Sequence, residues 1–179
     1  MKLTKKQRTI KYLLYAAVIL AFHLLQNAVL TGGGALRCFF LVPVCVMLGL
    51  GEDEKTAALL GLFGGILWDS VSSQLRGFHA IALMLICFLA SASVVFILRN
   101  SFWLGVVEAA VGVLIYTVAY WLLALLTKSR VGAGEVLASV YLPSALLTAA
   151  VTPLIALLLR PLKNKYSGKL SIKKEEPED

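Results

Sequence analysis

Long apolar runs broken by short polar segments dominate the chain, and their lengths predict six helices. The first run covers about Tyr12–Leu30 and stops at Gly32-Gly33-Gly34, where three flexible residues disfavour a continuing helix. The second, about Leu36–Leu50, is short and contains Pro43, which predicts a kink. A charged turn, Gly51-Glu52-Asp53-Glu54-Lys55, precedes the third run, Thr56 through Trp68 and on to about Ser73, roughly 27 Å of helix. Gln74–Gly77 reads as a turn before the fourth run, about Phe78–Leu98, and Arg99-Asn100-Ser101 as the next break. The fifth run is about Phe102–Leu126 and the sixth about Val136–Leu159, with Pro143 and Pro153 inside it. In a membrane bundle such prolines are tolerated, because neighbouring helices satisfy the freed carbonyls.

Composition turns this pattern into a membrane expectation. Of 179 residues, 59% are hydrophobic and 15% charged, with a mean hydropathy of +0.85. A soluble domain is about 45–50% apolar and about 25% charged, so the hydrocarbon core of a bilayer is the expected solvent. The expected division is a basic cytoplasmic N-terminus (1–11), a six-helix transmembrane domain (12–159) and a disordered cytoplasmic tail (160–179). The five basic residues of Met1–Lys11 resemble the charged region of a secretory signal. The apolar run behind them is about twenty residues, longer than the 7–15 of a cleaved signal, so it is expected to remain as a first membrane helix.

Charge decides orientation. With six spans, one side holds the five basic residues before helix 1, Lys55, Arg99 and six in the tail, thirteen in all. The other side holds four, Arg37, Arg76, Lys128 and Arg130. The positive-inside rule then places both termini in the cytoplasm. The net charge of +7 flanks membrane spans rather than forming a stripe, so nucleic acid is not an expected partner. Cys38, Cys45 and Cys87 lie in apolar runs without a C-x-x-C pair and read as small hydrophobes.

Few residues carry candidate chemistry. Gly61, Gly65 and Asp69, four apart, share one face of the third helix, where glycines let another backbone approach closely. Two readings of Asp69 stay open: a buried carboxylate ordering a site, or an acid near the headgroups that caps the Ser70–Gly77 turn or pairs with Arg76. His23, Gln26 and Asn27 form a buried polar patch on helix 1 that could bind a ligand, though such residues more often hydrogen-bond across helices. Glu108 begins a stripe with Gly112, Tyr116 and Tyr120 on helix 5; it either pairs with a basic residue or reaches back to the headgroups. Ser144, Thr148 and Thr152 read as packing positions, and Glu52-Asp53-Glu54 as a solvated turn. One histidine on each of two helices makes no metal site, and no P-loop, H-E-x-x-H or G-x-S-x-G motif is present. Neither an enzyme nor a bound cofactor is expected.

The residues Gly61-x3-Gly65-x3-Asp69, a short polar turn, then Gly77-x-His79-Ala80 opening an apolar helix resemble the signature of MreD, a rod-shape-determining membrane protein family of bacteria. The chain departs from the family pattern at Arg37-Cys38, where many members have Arg-Pro or Pro-Asp, and in lacking a glycine just after the aspartate. The resemblance implies a non-catalytic subunit of the cell-elongation machinery. Its implied partners are the bitopic scaffold MreC and, through it, the MreB filament and the RodA–penicillin-binding-protein synthase. Gly61, Gly65, Asp69 and Gly77 would then serve helix packing or a partner interface. The family is also similar in architecture to S-components of energy-coupling-factor transporters. That likeness gives an alternative, a solute-binding membrane subunit whose docking motif would be Ala17-x3-Ala21.

Overall fold

The computed structural model describes residues 5–31, 38–72, 75–96, 102–128 and 133–166. Among these the protein is all-helical: α1 (Lys5–Thr31), α2 (Leu41–Gly49), α3 (Glu54–Val71), α4 (Phe78–Phe96), α5 (Phe102–Lys128), a short α6 (Ala133–Val136) and α7 (Leu142–Tyr166). A π-helical turn, Leu137–Tyr141, joins α6 to α7 in one rod. It lies just ahead of Pro143, whose ring would clash with the carbonyl four residues back in a regular helix. The Gly32–Gly34 break, Arg37, Arg99–Ser101, Arg130 and the tail beyond Tyr166 lie outside the described residues.

Everything packs around α2. All nine of its residues are buried, and it touches α1, α3, α4, α5 and α7. At about 13.5 Å it is too short to cross a hydrocarbon core of about 30 Å alone. It starts later than its apolar run predicts, because Cys38 and Phe39 are non-helical and the chain turns into helix only at Leu41. A helix that begins inside a protein must satisfy its first amides without water. Here Phe39 N–H donates to Thr148 Oγ1 (3.0 Å) on α7 and Leu41 N–H to Gln26 Oε1 (3.0 Å) on α1. Val42 N–H reaches Phe39 O (3.2 Å), and Pro43 has no amide to satisfy. Pro43 therefore stands in the first turn, where it costs no hydrogen bond, rather than at a kink.

The contacts fall into two layers. At the Asp69 end, Phe39 packs on Trp68 and Tyr116, and Gln26 and Thr148 hold α2. At the Lys11 end, the Lys11 ammonium is ion-paired with Glu52, their side chains only 8% and 11% exposed. Ser91 Oγ on α4 donates to Glu52 O (2.8 Å), and Leu50 lies against Gly105 of α5. Successive rods run alternately between the two layers: Lys11 to Gln26, Phe39 to Leu50, Asp53 to Trp68, His79 to Ser91, Gly105 to Tyr116 and Thr148 toward Lys163.

The acidic run is therefore only partly a solvated turn: Glu52 is drawn in, while Asp53 stays exposed. Glu52 is buried with Lys11, and Asp53 is the N-cap of α3, accepting from Thr56 N–H (3.3 Å) and Thr56 Oγ1 (2.8 Å). The Thr56 hydroxyl and amide hold the Asp53 carboxyl below its ordinary value. Two helix ends also differ from the hydropathy pattern. The basic segment from Lys5 is already helical, and α7 continues through Pro161 to Tyr166.

Large apolar side chains cover the outside: Leu13, Leu24, Leu59, Leu146, Leu154 and Leu158 are all well exposed. Three helical stretches, Lys5–Ala28, Phe102–Leu123 and Leu137–Lys163, are long and apolar enough to cross a membrane, and Phe78–Val94 is apolar but shorter. This is the surface of a membrane protein.

Replacing Gln26 by Met leaves the buried Leu41 amide of α2 without its acceptor, and replacing Thr148 by Val does the same to the Phe39 amide just ahead of it. Each is expected to cost about 1–2 kcal/mol, read as earlier thermal unfolding in detergent. Leu154→Ala, on the outer face, should leave the transition in place; equal melting of all three variants would refute the role of these caps.

Candidate functional site

Gly61, Gly65 and Asp69 lie on the face of α3 that meets α4. A Cβ on Gly65 would fall on Ala80 Cα and His79 O, and 2.6 Å from Ala80 N. One on Gly61 would fall 2.8 Å from the Leu83 carbonyl carbon and 2.9 Å from Cys87 Sγ. Only hydrogen at these two positions lets the α3 and α4 backbones approach this closely. Gly64 faces elsewhere, toward Cys45 of α2 and Ile19 of α1.

Asp69 finishes the seam. Its Oδ2 accepts from Ala80 N–H (2.9 Å) and its Oδ1 from His79 N–H (3.4 Å). Gly77, just before α4, has φ of +84°, a left-handed conformation that admits glycine without strain, and it brings no capping side chain. The aspartate of α3 supplies the cap instead, at the positive end of the α4 dipole. Phe78 N–H donates to Leu75 O (3.2 Å) and Ile81 N–H to Gly77 O (3.2 Å). The amides of Phe78, His79 and Ala80, which open α4, are thus all satisfied, and Ile81 begins its regular ladder. Asp69 caps the next helix rather than the Ser70–Gly77 turn.

Next to this cap is an aromatic cluster that the sequence does not announce. His79 is buried, its Nε2 3.0 Å from Ser72 Oγ and its Nδ1 3.0 Å from the Tyr116 hydroxyl. Its ring stacks on Trp68 (4.7 Å between centroids) and Tyr120 (5.6 Å). Trp68 is therefore core rather than a residue of the membrane interface. Together these side chains, with Cys38, Phe39 and Tyr141, enclose a cavity of about 60 Å³. The available signal was the pairing of His79 at the start of α4 with the Tyr116-x3-Tyr120 stripe of α5.

The other polar candidates are dispersed. Gln26 Oε1 holds α2, while Asn27 Nδ2 lies 3.1 Å from His23 Nε2 on the same helix. Glu108, at the Lys11 end of α5, accepts from Ser93 Oγ of α4 and feels the charge of Lys163 on α7. Thr148 donates to Ser144 O (2.7 Å) and Thr152 to Thr148 O (2.8 Å), which keeps these hydroxyls satisfied inside α7. Among the described residues, no three His, Cys, Asp or Glu side chains converge on a point that could hold a metal ion.

The family model for "rod shape-determining protein MreD" matches residues 6–165 of the 179-residue chain, nearly every described residue. The chain belongs to the MreD family. No curated protein matches it, and no solved structure does. Membership in the MreD family attaches a role in rod-shape determination to a membrane protein whose internal polar groups are largely spent on holding helices together.

Asp69→Ala removes the acceptor of two α4 amides and is expected to cost about 0.5–2 kcal/mol, with Asp69→Asn less harmful because one oxygen remains. Gly65→Ala forces the two backbones apart and should cost about 1–3 kcal/mol. Thermal unfolding in detergent checks both; a Gly65→Ala protein that melts like wild type would contradict the close approach.

Proposed function

We propose that this MreD-family chain is a non-catalytic integral membrane subunit of the cell-elongation machinery. It binds an MreC-type bitopic scaffold and, through it, associates with the MreB filament and the RodA–penicillin-binding-protein synthase to position peptidoglycan synthesis. The family match over residues 6–165 carries this reading. The fold agrees with it, since Asp69, Gln26 and Thr148 are each engaged with backbone amides of α4, of α2 or of the Phe39 that leads into α2. In this reading Gly61, Gly65, Asp69 and Gly77 form an architectural joint, and partners meet the outer helix faces.

The alternative, a solute-binding subunit opening near Asp69, has less support. The cavity beside Asp69 is about 60 Å³, whereas small-molecule sites run to about 300–1,000 Å³. Aromatic side chains already occupy that space.

We further propose that the chain is a multi-pass protein of the bacterial plasma membrane, with six passages and both termini cytoplasmic. The alternation of the six rods between two layers supports this count, with α2 completing its passage through the non-helical Cys38 and Phe39 before it. The excess of basic residues on the Lys11 side supports the orientation.

Co-expression with the MreC-type protein of the same cell should give a complex that survives detergent extraction and affinity purification, and loss of this chain should round the cells. Failure to recover the complex from membranes containing both proteins would refute the scaffold reading. Orientation is checked separately with a membrane-impermeant maleimide. Arg76→Cys, on the exposed α3–α4 turn, should label in intact cells, and Lys55→Cys only after the membrane is opened. The reverse order would invert the topology.

A further inference from the structure

A groove of about 700 Å³ opens between α4 and α5. Its walls are apolar: Ile81, Leu85 and Leu89 on α4, and Val107, Val111 and Ile115 on α5, all well exposed. Its floor includes Ile86 and Gly112, where a Cβ would come 3.0 Å from Ile86 Cγ2, so the missing side chain deepens the channel. The α5 wall, Leu104 to Leu123, is about 28 Å long, close to the thickness of a hydrocarbon core.

The groove is polar in one place. At its Lys11 end Ser93 and Glu108 enter the lining, and Ser93 Oγ donates to Glu108 Oε1. Glu108 Oε2 is buried and has no hydrogen-bond partner. Lys163 contributes charge from α7 but no hydrogen bond to that oxygen. A buried carboxylate oxygen left in this state is costly unless a donor arrives.

That one oxygen discriminates among occupants. Exposed Trp103 marks the membrane interface, and Glu108 lies five residues further along α5, about 7.5 Å deeper. A lipid ammonium stays at headgroup level, and the acyl chain that would fill the groove has no donor. A second copy in the same orientation would bring its own groove with a second carboxylate acceptor at the same depth. Its exposed α1 and α7 faces would bring leucines such as Leu13, Leu154 and Leu158, and the exposed Arg160 of α7 already lies over its own Phe102 ring (5.4 Å). A helix from another protein can be apolar along its length and still carry one donor side chain at that depth.

We propose that the α4–α5 groove seats the single transmembrane helix of a bitopic partner, with a hydrogen-bond donor side chain of that helix reaching Glu108 near its cytoplasmic end. The proposal rests on the scaffold-subunit reading and names its contact surface. The partner helix lies in the groove as an apolar helix lies in any complementary cleft, and the Glu108 contact sets its register.

The test uses the full chain co-expressed with the bitopic partner. Leu85→Cys or Ile115→Cys is combined with single cysteines moved along the partner's membrane helix; Cys38, Cys45 and Cys87 are buried and give little background. Oxidation should join partner positions spaced three or four apart to Leu85 and Ile115, and none to Leu154→Cys. Glu108→Leu should weaken the complex roughly 3- to 15-fold, and Ile115→Trp should reduce its recovery by filling the groove. Ile115→Trp alone should melt near wild type, because Ile115 is on the open groove wall; Glu108→Leu also gives up the Ser93 hydrogen bond, so its complex yield is read beside its own thermal unfolding.

A complex recovered in full yield whose cross-links map to α1 or α7 would overturn the groove while leaving the scaffold reading intact. Cross-links between two copies of this chain at Leu85, or unchanged recovery of the Ile115→Trp complex, would overturn it as well. Absence of any complex would remove the scaffold reading and the groove assignment together.

Discussion

The structure depends on starting a helix in the interior. α2 is surrounded by protein on every side, so its first amides cannot turn to water and its side chains cannot turn to lipid. Gln26 and Thr148 answer the first demand from two different helices, and a ring of Leu, Val, Cys and Met answers the second. Once those helices are drawn in, their remaining apolar faces must look outward. A short buried helix thus turns the neighbouring rods into a wall between itself and the bilayer.

The seam between α3 and α4 solves a related problem by other means. Two glycines bring the backbones together, and the same face ends in a carboxylate at the height where α4 begins. Close approach and capping are linked: without the near contact at Gly65, Asp69 could not reach the amides of His79 and Ala80. The stacked rings of Trp68, His79 and Tyr120 then fill the corner beside the cap. The family match spans this joint and the rest of the bundle alike.

Local physics made much of this legible in the sequence. The apolar runs of α3, α4 and α5 and the single face shared by Gly61, Gly65 and Asp69 follow from periodicity, which is a property of neighbouring residues. What eluded it depends on distant residues. The start of α2 is set by Gln26 and Thr148, the latter more than a hundred positions away, and no pattern around Leu41 encodes that. Glu52 belongs to a run of three acids that looks solvated, yet Lys11 on another helix draws it inside. Trp68 has the profile of an interface residue until Phe39 and Tyr116 cover it. The mixed composition from Arg160 onward suggested disorder, but Pro161 removes only one internal hydrogen bond and the rod continues to Tyr166.

The Lys11–Glu52 pair has a consequence for the order of biosynthesis. Lys11 leaves the ribosome with α1, while its counter-ion follows only after α2 has been made. Until then the ammonium has no protein partner and is held at the membrane surface by hydration and lipid phosphate. When Glu52 arrives, the ammonium can leave the surface and settle against the rings of Tyr12 and Tyr15. The first helix is thus threaded early and latched late, so its final depth is fixed by a residue that emerges only after it.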